Sequence, residues 1–211
     1  MSLSPPSFAH IHIGHVLSGW SDTPQRQGLL RIALQDARVA AEHAEYAVQG
    51  ARDLNSVRLH LGHVVQALDP ALEPQGPGSG YGLVRALGGL SEHLGYAGSV
   101  SDASAALKAG LPPLIDGLQP LRREALLLTA LTREGRRVAD PGQALAYAQE
   151  AQQRCQALET QLAQLGQRLQ ALLAAENPPY SPVAERYLFG LIRLPSGEWG
   201  FAERRRSAGS Y

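Results

Sequence analysis

The chain has 211 residues, 44% of them apolar and 6% aromatic, and its 19 Lys and Arg balance its 19 Asp and Glu. That length and apolar content suit one domain with a true core, with or without an appendage. Zero net charge lacks the concentrated positive face that a phosphate backbone demands, so nucleic acid is not an expected partner.

The single cysteine, Cys155, excludes an internal disulfide framework. No C-x-x-C-H is present, which excludes covalently attached c-type haem. No apolar run approaches the roughly 18 residues of a membrane span. The start, Met1-Ser2-Leu3-Ser4-Pro5-Pro6, has neither the basic region nor the apolar stretch of a leader. The expectation is a cytosolic chain, or a mature chain whose leader is not included.

After the Pro/Ser-rich lead-in, a first helix is expected from about Phe8 to Gly19. A second runs from about Pro24 to Gln49, with Leu30, Leu34, Ala37, Ala40, Ala41, Ala44 and Val48 at helical spacing. Gly50 ends it, and Asp53 or Asn55 caps a third helix that reaches Leu68. Residues 70–82 form a Pro/Gly-rich loop, read as ordered because it sits between two helices of a repeat. A fourth helix spans about Tyr81 to Ala97. Within it Gly88-Gly89 costs about 1 kcal/mol per Gly against Ala, a cost that often marks close helix approach.

Ser101-Asp102 is expected to cap a short helix ending near Gly110. Pro112-Pro113 and Pro120 are expected to break the next stretch, with a helix resuming from Leu121 to Val138. Asp140-Pro141 opens the longest helix, to about Glu176. Its Leu158, Leu162, Leu165, Leu169 and Leu172 continue upstream through Cys155, Ala151, Ala148 and Ala144 as an a/d seam. Such a seam serves either an internal core or a homo-oligomer contact across 144–172. Past Asn177-Pro178-Pro179, the stretch from Tyr187 to Phe201 reads as a small β-hairpin around Pro195-Ser196-Gly197. The expected fold is an all-α bundle built on a duplicated His-bearing hairpin, with a long heptad helix and that small hairpin. Residues 1–138 would form the duplicated metal-binding bundle, and 139–211 a packing or oligomerisation segment.

The duplication carries the chemistry. His12-Ile13-Gly14-His15-Val16 returns as His60-Leu61-Gly62-His63-Val64, and Glu42-His43-Ala44-Glu45-Tyr46-Ala47 returns as Glu92-His93-Leu94-Gly95-Tyr96-Ala97. Residues i and i+3 share a helix face, so each H-x-x-H pair offers two imidazoles to one point. His43 on the partner helix of the first copy, and His93 on that of the second, can each supply a third. Tyr46 and Tyr96 stand three residues on, where they can shield the site or hydrogen-bond to a ligand. His10 adds a seventh imidazole. In an extended lead-in His10 and His12 share a face, whereas on a helix they diverge by about 160°.

An all-imidazole frame points to a metal. Glu42 and Glu92 lie about 100° around their helices from the neighbouring His, which speaks against a di-iron carboxylate site. Copper is the first choice, with zinc, nickel and b-type haem as alternatives. Copper in such a set could disproportionate superoxide or reduce peroxide. Zinc could activate water, although no carboxylate base shares the histidine face. Non-enzymatic binding within an assembly is the other reading. No nucleotide or acyl-transfer motif appears, and Gly76-x-Gly78-x-Gly80 lacks the strand–helix setting of a phosphate loop.

Three strings carry a resemblance: Ala9-His10-Ile11-His12-Ile13-Gly14-His15-Val16 with Gly19-Trp20; Gly62-His63-Val64 with Ala67-Leu68-Asp69-Pro70; and Gly76-Pro77-Gly78 with Gly80-Tyr81-Gly82. Over residues 9–98 the chain resembles a group of poorly characterised exported bacterial His-rich helical proteins with H-x-G-H-V elements and a Gly-Pro-Gly loop. The resemblance implies an envelope or periplasmic location, with the leader removed. Members can carry a further H-x-x-H near 104–108, which Ser104-Ala105-Ala106-Leu107-Lys108 lacks.

Overall fold

The computed structural model describes residues 7–177, 180, 185–186, 191–193 and 199–201. Six α-helices pack as a bundle: α1 (Phe8–Leu17), α2 (Leu29–Gln49), α3 (Leu54–Leu68), α4 (Leu83–Ser99), α5 (Ala105–Arg137) and α6 (Pro141–Ala174). Beyond them lie three short antiparallel strands, β1 (Glu185–Arg186), β2 (Leu191–Arg193) and β3 (Trp199–Phe201), in that spatial order. Leu191 faces Phe201, and Glu185 faces Arg193. Residues 187–190 and 194–198 of the expected hairpin lie outside the described residues. Among the described residues, no helix is long and apolar enough to cross a membrane.

Four of the six helices start where a side chain satisfies a free backbone donor, while α2 and α4 start at Gly28 and Gly82 without one. Ser7, Asp53, Ser104 and Asp140 accept from the first turns of α1, α3, α5 and α6. The expected start of helix 2 at Pro24 is displaced. Pro24–Arg26 forms a single 3₁₀ turn with Gln25 at φ 54°, and α2 begins at Leu29. Asp102 does not cap its own helix either. Its carboxylate accepts from Phe8 N–H (2.6 Å) and Ala9 N–H (3.3 Å), tying the start of α1 to the α4–α5 turn.

The prolines do not break α5. One helix runs through Pro112, Pro113 and Pro120. All three sit on the exposed face, so the carbonyls they orphan are free to meet water. On the other face Leu107, Leu111, Leu114, Leu118, Leu121, Ala125 and Leu128 are buried along the whole length. Burial at about 1.5–3 kcal/mol per large apolar side chain outweighs the proline cost of about 3 kcal/mol each.

The seam of α6 is filled from within the chain. Ala144, Ala148, Ala151, Cys155, Leu158, Leu162, Leu165 and Leu169 are all buried, in one core shared with the other five helices. Alanines and Cys155 occupy the seam's upstream half and leucines its lower half. Those side chains are covered by their own chain.

The Pro/Gly-rich loop is ordered, as expected. Asp36 of α2 is fully buried beneath it. Its carboxylate accepts from Ser79 N–H (2.7 Å), Ser79 O–H (2.6 Å) and Gly82 N–H (3.2 Å). Burial pushes the Asp36 carboxyl up from 3.8, and those donors pull it back. Buried Gln66 accepts from Gly78 N–H at 2.7 Å. The loop thereby fixes α3 against α2 just beyond the histidines.

Candidate metal centre

Two three-histidine clusters form, and each combines an H-x-x-H pair with a lone histidine on a neighbouring helix. His12 and His15 of α1 meet His93 of α4, and His60 and His63 of α3 meet His43 of α2. In each cluster the ring nitrogens lie within 4.8 Å of one another. The lone histidine is central. His93 Nδ1 lies 3.3 Å from Nδ1 of both His12 and His15. His43 Nδ1 lies 3.0 Å from His60 Nδ1 and 3.2 Å from His63 Nδ1.

This differs from the partition expected within each copy, which joined His43 to His12/His15 and His93 to His60/His63. The third histidine is exchanged between the copies. The reason lies in the connection. A four-residue turn makes α2 and α3 antiparallel neighbours. His43 lies six residues before Gln49, the end of α2, and His60 six residues after Leu54, the start of α3. Equal distances from a tight turn place two residues side by side.

The spacing could accommodate a metal ion. At a metal–nitrogen distance of about 2.0–2.1 Å, the edges of a tetrahedron are roughly 3.3 Å. Three Nδ1 atoms gathered around one point without a cation would oppose their lone pairs, unless one ring donates to another. Burial pushes His93 and His43 down to about 4, with His12 adding repulsion at the first and His63 and His60 at the second. Burial likewise lowers His12, His60 and His63. These five rings are therefore neutral near pH 7, the state a metal requires.

Aromatic rings wall both clusters. Tyr96 stands 5.1 Å from the His12 ring, and its hydroxyl donates to Glu92 at 2.8 Å. Tyr46 stands 5.3 Å from His43 and 5.5 Å from His60. Both tyrosines are partly exposed and close the outer side. The sequence reading did not assign a role to Trp20. Its ring lies 4.4 Å from His15 and 4.6 Å from His93. In the second copy the matching residue is Leu68, so among the described residues the indole cover belongs to the first cluster. That mismatch between aligned copies was the available signal.

No family model, curated protein or solved structure matches the chain. The site must be read from its own geometry.

His10 joins neither cluster. Because α1 is helical from Phe8, His10 points away from His12 and is buried, with Nε2 3.4 Å from Glu176 Oε2. Ser104 donates to the other oxygen of Glu176 at 2.5 Å, and the Tyr180 ring lies 5.8 Å from His10. This polar knot holds the end of α6 against the starts of α1 and α5.

The second cluster has its own ion pair. Arg136 of α5 donates to Glu73 at 2.6 Å, and both line a cleft of about 190 Å³ with His63. Its guanidinium crosses α3 at Gly62, where a Cβ would stand 3.1 Å from Cζ. A side chain at this position would therefore have to displace the Arg136 guanidinium by a few tenths of an ångström.

Proposed function

We propose that the chain binds two transition-metal ions, one in each three-imidazole cluster, and that copper is the preferred ion. The convergence of two Nδ1 atoms to within 3.0–3.3 Å of a central histidine's Nδ1, in two separate clusters, carries this reading. Neutral imidazoles suit copper and zinc better than magnesium, calcium or manganese, which prefer oxygen. Neither cluster includes a carboxylate among the described residues.

Three protein ligands leave a position for a small exogenous one. Copper there would supply a one-electron couple, with one superoxide oxidised to dioxygen and a second, taking two protons, reduced to hydrogen peroxide. The chain's own contribution is to hold three rings in place. Trp20 excludes water from one side of the first cluster and Tyr96 flanks its outer side, while Tyr46 flanks the second cluster. The resemblance over residues 9–98 supports placing this activity in the cell envelope.

The test is elemental analysis of protein purified without added metal, followed by copper loading. Two copper ions per chain, nitrogen hyperfine structure in the electron paramagnetic resonance spectrum and superoxide dismutation are the expected results. Stoichiometric zinc with no dismutation after copper loading would remove the redox reading. No bound metal under any loading would remove the metal centres.

A second reading, zinc as a structural clasp, is favoured by the exchange of histidines, since each ion would join helices from different copies. Bis-histidine haem fits less well. Axial ligands sit on opposite faces of a flat macrocycle, and Nδ1 atoms this close leave no room for one.

A further inference from the structure

A cleft of about 470 Å³ adjoins the first cluster, between α4, α5 and the loops after α1 and α3. Its size is within the range of small-molecule sites. His93 belongs to both places. Its Nδ1 faces His12 and His15, while its ring also lines the cleft. A metal-bound imidazole almost always donates its other N–H to a carboxylate, a carbonyl or water. No protein group is hydrogen-bonded to His93 Nε2 among the described residues.

The walls have a definite chemistry. Trp20, Tyr81 and Val84 supply flat and apolar surface. Arg85 is held in place by Asp22 at 2.7 Å and lies over the Tyr81 ring at 4.3 Å. The acids on the rim are already engaged. Asp22 accepts from Arg85 and Tyr81, Glu92 from Tyr96, and Asp69 from Ala71 N–H. Arg122 is the exception: it lines the cleft with no ion pair or hydrogen bond to a described residue.

Gly88 adds an independent observation. It stands mid-helix in α4 at a cost of about 1 kcal/mol. Packing does not require it, because a Cβ there would meet only the Arg122 side chain, at an ordinary 3.7 Å. What its missing side chain leaves is open floor directly beside a free guanidinium.

We propose that this cleft binds a small carboxylate with a planar apolar body, its carboxylate shared between the Arg122 guanidinium and the Nε2–H of His93 and its body against Trp20 and Tyr81. The proposal rests on the metal reading in one respect: with an ion in the first cluster, His93 is fixed as the Nε2–H tautomer that donates into the cleft. Anion and metal then strengthen each other's binding through one ring, by reciprocal linkage.

The experiment is calorimetric titration of the full chain with benzoate, and with benzyl alcohol as the neutral counterpart, before and after zinc loading. Benzoate is expected to bind, benzyl alcohol to bind at least about tenfold more weakly, and zinc to tighten benzoate alone. Arg122→Gln should weaken benzoate roughly five- to tenfold, and Gly88→Leu should abolish its binding by filling the floor. Both variants should keep their helical circular dichroism and two zinc ions. Equal affinity for the two probes, or unchanged benzoate affinity in Arg122→Gln, overturns the proposal. Zinc binding without benzoate binding refutes the cleft and leaves the metal centres standing. Benzoate binding that requires Arg122 in a protein that takes up no zinc refutes the metal centres and the linkage, and supports the anion site.

Discussion

The exchange of the third histidine makes a sharp prediction. His43 is the apex of the second cluster, 3.0 Å and 3.2 Å from its partners. His43→Ala should cut metal content from two ions to one, with the survivor held by His12, His15 and His93. The double variants separate the two partitions. If the sets are as the structure draws them, His43→Ala with His60→Ala leaves one ion and His43→Ala with His12→Ala leaves none. A partition within each copy gives the reverse.

Stability follows in step. An ion at a hundred times its Kd adds about 2.7 kcal/mol. Two ions add about 5 kcal/mol, which for a chain of this length raises Tm by roughly 10–20 °C. His43→Ala should halve that rise and, because its ring is neutral and half-exposed, change the metal-free Tm little. Thermal unfolding with and without zinc, with elemental analysis of the same samples, reads both quantities. One ion retained in the His43/His12 double variant would refute the structural assignment.

Acid should destabilise the metal-free protein. The unfolded chain protonates His43 and His93 at the ordinary 6.5, and the folded chain only at about 4. The unfolded state therefore binds more protons between those values, and stability falls as pH falls through that window. Urea midpoints at pH 7.5 and pH 5 measure this, and His43→Gln should lessen the difference. Leu162 is fully buried in α6 while Leu127 on α5 is 57% exposed. Leu162→Ala should cost about 2–5 kcal/mol and Leu127→Ala less than about 0.5 kcal/mol. A change in oligomeric state from Leu162→Ala, without loss of stability, would contradict the internal seam. Asp36→Ala strands three donors in the loop over α2, so it should cost about 1–3 kcal/mol and open residues 70–82 to limited proteolysis.

Much of the fold was legible because its signals are local. The caps at Asp53 and Asp140, the face of α2 and the seam of α6 each lie within one helix. Local rules mislead where they meet a long-range gain. Pro112, Pro113 and Pro120 look like breaks, yet buried leucines on the opposite face hold α5 together. Asp102 resembles a cap for its own helix but serves α1, 94 residues away from Phe8. The histidines were found by repetition and type. Their partition was not, because it depends on which helices become neighbours. Trp20, Glu73 and Arg136 have no repeat partner and became visible only in space.

The two clusters should not be independent, and the packing of α2 on α4 is the reason. An ion in the first cluster fixes α1 on α4, and an ion in the second fixes α2 on α3. Between them α2 meets α4 at Gly89, where a Cβ would lie 3.1 Å from both methyl carbons of Leu29. Ordering α4 with the first ion therefore presents α2, and with it His43, already in place for the second. The second ion has less conformational entropy to offset, which is positive cooperativity without any shared ligand. Gly89→Val tests this. Valine is the better helix former in isolation, so any loss comes from pushing α2 and α4 apart at Leu29. The variant should bind two zinc ions with each site near its intrinsic affinity, and the second stepwise constant should no longer exceed the first after statistical correction. Wild-type protein whose two constants differ only by the statistical factor, or a Gly89→Val variant with undiminished cooperativity, would show that the clusters act separately and that the α2–α4 contact transmits nothing between them.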